Sequence, residues 1–284
     1  GGLAARAGSE RHADGQSNGR SGESNVRRVG LALLLLATAC SGGGQQRVIV
    51  AAGTTLVDSG LVNAVADRFE ESHPHIQLSV VGEASARILD LGRRGGADVL
   101  ITHSPDLEAE FVHDGLAARY EPVLTSSFVL LGPADSASEG PALTVLAEIA
   151  AGSRLFVSRG DGSGTHQMEL WLWEQAGVDP EGASWYLETG QGMGLTLQVA
   201  DQRGAFALSE LGAFLAASDT LTIEPVDASG IPRNPYHLTV VLDSPERRVG
   251  EEFLDWLVGP EGVRAVAEAN RELFGRPIYE PAGG

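Results

Sequence analysis

The stretch Phe156-Val-Ser-Arg-Gly-Asp-Gly-Ser-Gly-Thr-His166 joins a short apolar segment to a charged, glycine-rich turn. We predict that a strand ends at Ser158 and that a helix begins at Thr165. The first N–H groups of a helix have no intrahelical partners, and the helix dipole favours negative charge there. Because Arg159 and the hydroxyl of Ser163 accompany those groups, the stretch predicts an anion-binding site.

The overall charge limits what kind of anion site this can be. The chain has 284 residues, with 38 acidic and 20 basic side chains and a formal net charge of −18. Every basic residue is Arg. So acidic a surface argues against nucleic-acid binding and repels anions at long range. Any anion must therefore be held locally, by backbone N–H groups and individual Arg side chains.

The N-terminal region has the pattern of an export signal. Residues 1–25 are polar and rich in Gly, Ser and Arg, and an Arg pair then precedes an apolar run that ends before Cys40, the only cysteine. We predict a disordered extension plus lipoprotein signal peptide over 1–39, lipidation of Cys40, and a flexible tether over 40–46. The alternative is an ordinary secretory signal that is cut near Ala39.

Strand and helix signals alternate after the tether. The first half has strands at 47–52, 76–81 and 98–102, and helices at 59–72, with Ser59 as N-cap, 84–91 and 107–114. The second half has strands at 128–132, 155–158, 204–208 and 236–242, and helices at 144–151, 165–176, from 193, 209–217, 245–258 and 260–270. This order predicts parallel strand pairs and two α/β lobes. Such sheets bind ligands beyond the carboxyl ends of their strands.

Several motifs resemble one family. Ser158-Arg-Gly-Asp-Gly-Ser-Gly-Thr-His166, Trp185-Tyr-Leu-Glu-Thr-Gly-Gln-Gly-Met-Gly194 and Asn234-Pro-Tyr236 are similar to motifs of the tungstate-binding proteins of bacterial tungstate ABC transporters. Asp58-Ser-Gly-Leu61 and Ala97-Asp-Val-Leu100 agree as well. The resemblance covers residues 47–280 in the same order. It implies an α/β, two-lobed type II periplasmic binding protein (Venus-flytrap) fold with two interlobe crossover strands.

The resemblance also implies a domain division and three binding loops. Lobe 1 would comprise 47–126 and 238–284, and lobe 2 would comprise 127–237. The first loop, usually a run of three Thr and a Ser, reads Ala52-Gly-Thr-Thr55 here, so two hydroxyls are missing. The implied oxyanion-binding residues are Thr54 and Thr55 in the first loop, Arg159, Ser163, Gly164 and Thr165 in the second, and Gln191, Gly192 and Met193 in the third.

The function that the resemblance implies is that of an extracytoplasmic solute-binding lipoprotein, which captures tungstate for an ABC permease. We expect an exported monomer, lipid-anchored on the periplasmic or cell-surface side, with no enzymatic activity, no cofactor, no metal cation and no nucleic-acid partner. Alternatives are a molybdate, sulfate or phosphate receptor of the same fold, or an anion-sensing module.

The residues alone leave two further questions open. Arg159 could be an ion-pair partner of Asp161 or Glu188 rather than an anion ligand. Ser163 and His166 could suggest an enzyme acting on an extracytoplasmic ester or phosphoester, but the glycines that flank a nucleophile elbow are missing. Among the other histidines, His103 at the end of a predicted strand is the one placed to face the cleft.

Overall fold

The structure, a computed structural model, describes residues 45–136 and 138–282. Its first strand, β1 (Gln46–Gly53), is the predicted apolar run. β1 is buried over its second half because it lies between two parallel neighbours. The extension and signal peptide predicted for 1–39, the lipidation site Cys40 and most of the tether lie outside the described residues. Gln46, which we assigned to the tether, begins β1 instead.

Helices and strands alternate through the first half of the described chain, as predicted. After β1 they are α1 (Thr54–Asp58), α2 (Leu61–Ser72), β2 (Ile76–Glu83), α3 (Ser85–Arg93), β3 (Val99–Thr102) and α4 (Pro105–His113). β1 pairs in parallel with both β2 and β3, which confirms the predicted parallel arrangement. The carboxyl ends of these strands therefore meet at one edge, where α1, α3 and α4 begin.

The prediction that Ser59 is the N-cap of the second helix is wrong. The chain first forms the short helix α1, and Ser59 is its C-cap. Gly60 is then the N-cap of α2. The Ser59 hydroxyl still accepts a hydrogen bond from the N–H of Leu61, at 3.3 Å. The serine therefore serves both helices, ending one and supporting the start of the next.

The next strand, β4 (Ala117–Pro133), is much longer than the predicted strand at 128–132. The remaining elements are β5 (Glu139–Pro141), α5 (Ala142–Ala151), β6 (Phe156–Ser158), α6 (Gly164–Gln175), β7 (Tyr186–Glu188), α7 (Met193–Arg203), β8 (Ala207–Glu210), α8 (Leu211–Ala217), a 3₁₀ turn (Ser218–Thr220), β9 (Ile223–Pro225), β10 (Asp227–Ser229), β11 (Arg233–Val241), α9 (Arg247–Val258), α10 (Pro260–Phe274) and β12 (Glu280–Pro281). The strand predicted at 204–208 begins later, since Gly204 ends α7. The helix predicted from Pro245 begins at Arg247.

The two long strands β4 and β11 connect the halves of the molecule. The main sheet has the order β12-β4-β11-β3-β1-β2, and β8 and β9 pair with the far part of β4. β4 and β11 run antiparallel from Val241 opposite Ala117 to Arg233 opposite Ser127. Beyond Ser127, β4 leaves β11 and pairs with β8. These are the two crossover strands that the resemblance implied.

Separate apolar cores lie on the two sides of the crossover. One core is built around the first sheet and includes Phe69 and Phe253. Others are built from the segment between β4 and β11, and one of these includes Phe156 and Trp173. The α/β, two-lobed type II fold is therefore confirmed. Within the described ranges, no helix has the length and apolar character that a bilayer crossing needs.

Candidate functional site

The turn between β6 and α6 has the predicted strand-turn-helix form. β6 ends at Ser158, and α6 begins at Gly164 with Ser163 as its N-cap. The Ser163 hydroxyl accepts a hydrogen bond from the N–H of His166 at 3.3 Å. Gly160 adopts φ +60, and a methyl group added there would lie 2.7 Å from Cβ of Glu188. Glycine at 160 therefore permits both the turn and its close approach to β7.

Arg159 is the centre of this turn, and its side chain is almost completely buried, with 1% exposure. Its Nη2 donates to Oδ2 of Asp161 at 2.5 Å and to Oγ1 of Thr54 at 2.8 Å. Its Nε also donates to Asp161, at 3.1 Å. Nη1 is buried and has no hydrogen-bond partner among the described residues. Arg159 thus forms an ion pair, reaches the first loop, and keeps one donor free.

Asp161 holds the guanidinium and the helix start together. Its Oδ1 accepts a hydrogen bond from the N–H of Ser163, at 3.1 Å. Burial by itself would raise the pKa of Asp161, but the charge of Arg159 and the bonds from Ser163 hold that pKa below its usual value. Asp161 is therefore a carboxylate whose two oxygens already accept hydrogen bonds from within the turn. The ion pair between Arg159 and Asp161 is thus one of the two that the sequence left open.

The two threonines of the first loop have different partners. Thr54 accepts the hydrogen bond from Arg159, whereas the Thr55 hydroxyl is fully buried and lies 3.1 Å from the hydroxyl of Tyr236. In the second loop, the hydroxyl of Thr165 is buried without a hydrogen-bond partner in the part of the chain that the structure describes. The Thr165 hydroxyl is thus unpartnered among the described residues, while that of Thr55 is held by Tyr236 on β11.

The third loop is tied to the second. The Thr189 hydroxyl lies within 3.3 Å of the carbonyl oxygens of Ser158 and Arg159, and 2.9 Å from the hydroxyl of Thr196. Gly192 is the N-cap of α7 and has no side chain that could cap the first N–H groups of that helix. Gln191 is exposed. We therefore assign this loop to the same region as Arg159.

Met193 is a different case, because its side chain is completely buried in an apolar core. A contact of Met193 with a ligand can therefore come only from its backbone N–H.

Asp58, at the end of α1, approaches this region from the other side. Burial raises the pKa of Asp58, and the charge of Arg159 and the N–H of Gly194 oppose that rise. Asp58 is thus an acidic group near Arg159 that the sequence reasoning did not place.

His103, which follows β3, is buried beside the first two loops. Its Nδ1 lies 3.0 Å from Oδ1 of Asn234, and its ring stacks on Tyr236 at a centroid distance of 4.8 Å. Burial is the main reason that its pKa falls to about 4. Sequence reasoning placed His103 at the cleft but missed its partners. The Asn234-Pro-Tyr236 motif was the signal that could have found them.

Ser163 and His166 do not form a catalytic pair. The Ser163 hydroxyl accepts from the backbone of His166, and Nδ1 of His166 accepts from the N–H of Gly162 at 3.1 Å. Both side chains therefore stabilise the turn. Within residues 45–136 and 138–282, no cluster of His, Cys, Asp and Glu side chains is suited to a metal ion. What the site offers is a set of hydrogen-bond donors around a buried guanidinium, which suits an anion.

Comparisons with known proteins point to one kind of protein. A PBP superfamily domain model matches residues 38–261. A putative ABC transporter anion-binding protein of Haloferax volcanii is 35% identical over 246 residues, which cover 81% of this chain and 70% of the relative. The tungstate-binding protein TupA of Peptoclostridium acidaminophilum is 30% identical over 242 residues, covering 81% and 84% of the two chains. The structure of the tungstate ABC transporter from Geobacter sulfurreducens aligns with a TM-score of 0.72 and 31% identity, covering 79% of this chain and 99% of that chain.

Proposed function

Because the chain belongs to the family of tungstate-binding proteins of bacterial tungstate ABC transporters, we propose that it captures a tetrahedral oxyanion, tungstate above all, and presents it to an ABC permease. This function is binding and release, with no bond made or broken in the ligand. Two relatives that carry the name tungstate-binding protein support the choice of ligand, since they are 30% and 33% identical to this chain.

The observation that carries the proposal is the state of Arg159. A guanidinium buried to 1% exposure, with Nη1 unpartnered among the described residues, leaves a charged donor without an acceptor. Such a donor is costly unless a ligand satisfies it. An oxyanion would supply the missing acceptor. The Thr165 hydroxyl, also buried without a partner in the described part of the chain, is a second donor in the same turn.

The ligand class follows from the donors. Tungstate and molybdate carry no proton near neutral pH, so they need donors only, whereas hydrogen phosphate also needs an acceptor. The guanidinium, the hydroxyls and the N–H groups at the starts of α6 and α7 are all donors. Asp161, the carboxylate in the second loop, is already occupied by Arg159 and Ser163. Asp58, the other carboxyl near Arg159, has the N–H of Gly194 as a partner. With both carboxyls so engaged, the donors favour tungstate or molybdate over phosphate.

Ligand capture would be coupled to closure of the two halves. Thr54 and Arg159 lie on opposite sides of the β4–β11 crossover, and they are hydrogen-bonded to each other. An anion that contacts both loops binds the closed arrangement better than an open one. Binding would therefore shift the population toward the closed state, which the permease would recognise.

We also propose that Cys40 carries a lipid anchor and that the protein acts outside the cytoplasm as a monomer. The part of the chain that the structure describes could then dock onto a permease in the same membrane. Expression of the wild type and of Cys40→Ser in a bacterial host tests the anchor. The wild type should partition with membranes and the variant should not, whereas membrane association of both would contradict lipidation at Cys40.

Titration calorimetry of the body that follows Cys40 tests the ligand. Separate titrations with tungstate, molybdate, sulfate and phosphate would give the affinity ranking directly. We expect tungstate and molybdate to bind more tightly than sulfate and phosphate, and we expect none of the ions to be converted. Tight binding of phosphate with no heat from tungstate would contradict the proposed function.

A further inference from the structure

We infer that His103 is a specificity-determining residue, whose imidazole acts as a spacer between two oxyanion-binding loops and so sets the size of anion that fits between them. The inference rests on the proposed function, because it concerns the same site. It adds a residue to which no binding role has been given, and it assigns that residue a steric role in place of a direct contact with the ligand.

The position of the ring is the first argument. A methyl group added at Gly164, the first residue of α6, would lie 2.7 Å from Cγ and Nδ1 of His103 and would also clash with its carbonyl oxygen. A methyl group added at Gly53, just before Thr54, would lie 3.5 Å from Cδ2 and Nε2 of the same ring. The imidazole therefore has the first loop at one edge and the second loop at the other.

The ring is also held firmly in place. Its Nδ1 is bonded to Asn234 on β11, and the amide of Asn234 donates in turn to the hydroxyl of Ser126 on β4, at 3.3 Å. Its face stacks on Tyr236 at an interplanar angle of 20°. Both crossover strands therefore hold His103. A ring fixed in this way transmits a defined distance to the loops that pack against it.

Charge does not explain the position of His103. Burial, and to a smaller extent the charge of Arg159, lower the pKa of this imidazole to about 4, so the side chain is neutral near pH 7. A neutral side chain gives no general attraction for anions of every size. The ring therefore acts on the neighbouring loops by setting the distance between them. That distance can distinguish large anions from small ones.

The size of the oxyanion is where such a separation matters. Tungstate and molybdate are larger tetrahedra than sulfate and phosphate. A ligand that contacts Arg159 or Thr165 on one loop and the first loop on the other must match the gap between them. Without the ring, the loops could approach more closely and the smaller anions would gain contacts. With a wider gap, the smaller anions would lose contacts first.

Two substitutions change the gap in opposite directions. His103→Ala removes the spacer and should lower the ratio of tungstate affinity to sulfate affinity by at least about fivefold. Gly164→Ala pushes α6 away from His103, because the added methyl group would lie 2.3 Å from its carbonyl oxygen and 2.7 Å from its ring, and it should raise that ratio. His103→Phe keeps an aromatic ring but loses the bond to Asn234, and it should keep the wild-type ratio. Calorimetric titration of each variant with both anions, after circular dichroism has verified folding, gives the ratios.

The outcomes separate this inference from the proposed function. If the wild type prefers tungstate, but neither His103→Ala nor Gly164→Ala changes the ratio, His103 is not a spacer. A change of the ratio in the same direction in both variants would also overturn the inference, because a spacer predicts opposite changes when the gap narrows and when it widens. If His103→Ala does not fold, Gly164→Ala should still raise the ratio and His103→Phe should still leave it unchanged, and a different result for either variant overturns the inference. A wild type that binds neither anion rejects the proposed function itself.

Discussion

Arg159 and Thr54 are joined by a hydrogen bond of 2.8 Å between Nη2 and Oγ1, although they lie on opposite sides of the crossover. The same guanidinium is held by Asp161 and has Nη1 without a partner among the described residues. One side chain thus connects the loops, pairs with a carboxylate and still has a donor to offer.

Replacing Arg159 by Ala should weaken oxyanion binding at least about tenfold, or about 1.4 kcal/mol, the low end for a charged hydrogen bond. Arg203→Ala is the matched control, because it removes the same charge from an exposed position at the end of α7. Calorimetric titration with tungstate compares the two variants. An equal affinity for both would show that Arg159 is only a structural ion-pair partner of Asp161.

Thr54→Val should weaken tungstate binding by about threefold, because the guanidinium loses the acceptor that holds it toward the first loop. The valine keeps the shape of the side chain and removes its hydroxyl. Thr144→Val, at an exposed position on α5, is the control for the same chemical change. Fluorescence or calorimetric titration measures both. The prediction fails if Thr54→Val binds tungstate as tightly as the control does.

Tyr236→Phe should reduce the free energy of unfolding by about 1 kcal/mol, because the buried hydroxyl of Thr55 loses a partner at 3.1 Å. A double-mutant cycle with Thr55→Val separates this hydrogen bond from other effects of the two changes. Thermal or denaturant unfolding gives the four stabilities. A coupling energy of zero would mean that the two hydroxyls do not interact.

Gly160→Ala should destabilise the protein more than Gly162→Ala does. Both glycines have a positive φ, of 60 and 70, so each substitution carries the strain of a left-handed alanine, about 1 kcal/mol. Only Gly160 has a close neighbour, since a methyl group there would lie 2.7 Å from Cβ of Glu188. Melting temperatures of the two variants test the difference, and equal losses would contradict the contact with β7.

Glu169→Gln should stabilise the protein increasingly as the pH rises from acid to alkaline. Glu169 is fully buried on α6, and its burial raises its pKa from 4.5 to about 7, although hydrogen bonds, including those from Tyr186 and Trp173, oppose the rise. Below pH 4.5 the carboxyl is protonated in the folded and unfolded states alike, and its contribution to the free energy of unfolding is fully present. That contribution is lost as the pH rises through about 7, at a cost of up to about 3 kcal/mol.

Gln cannot ionise, so Glu169→Gln should remove this loss while keeping similar hydrogen bonds. Melting temperatures of the wild type and the variant at about pH 5 and about pH 8.5 measure it. The difference between the two proteins should be larger at the higher pH. If the difference is the same at both values, the carboxyl does not titrate in this range.

The sequence predicted the local elements of the site well. The apolar strand before Arg159 and the glycine-rich turn after it have strong local signals, and the structure has a strand, turn and helix there. The helix α1 was missed because five residues are too few to show a helical periodicity. β4 was predicted too short because its first part is polar and only half buried, without the apolar run that marks its end.

Long-range contacts were beyond what the sequence alone could give. The bond between Arg159 and Thr54 joins residues 105 positions apart, and it depends on how the two halves meet. The approach of His103 to Gly164 has the same origin. The resemblance supplied the order of the loops but not the distances between their side chains. The domain boundaries after 126 and 237, and the ligand contacts of all nine site residues, remain predictions.

The pairing of β4 with β11 has a consequence for how the chain can be divided. Ser127 and Arg233 face each other as register partners, so the two strands enter and leave residues 128–232 side by side. In connectivity, the second half is an insertion into the first, and a short turn between these strands would close the gap that its excision leaves. A gene shortened in this way would encode only the half that carries Thr54, with β1, β2 and β3 of its sheet intact.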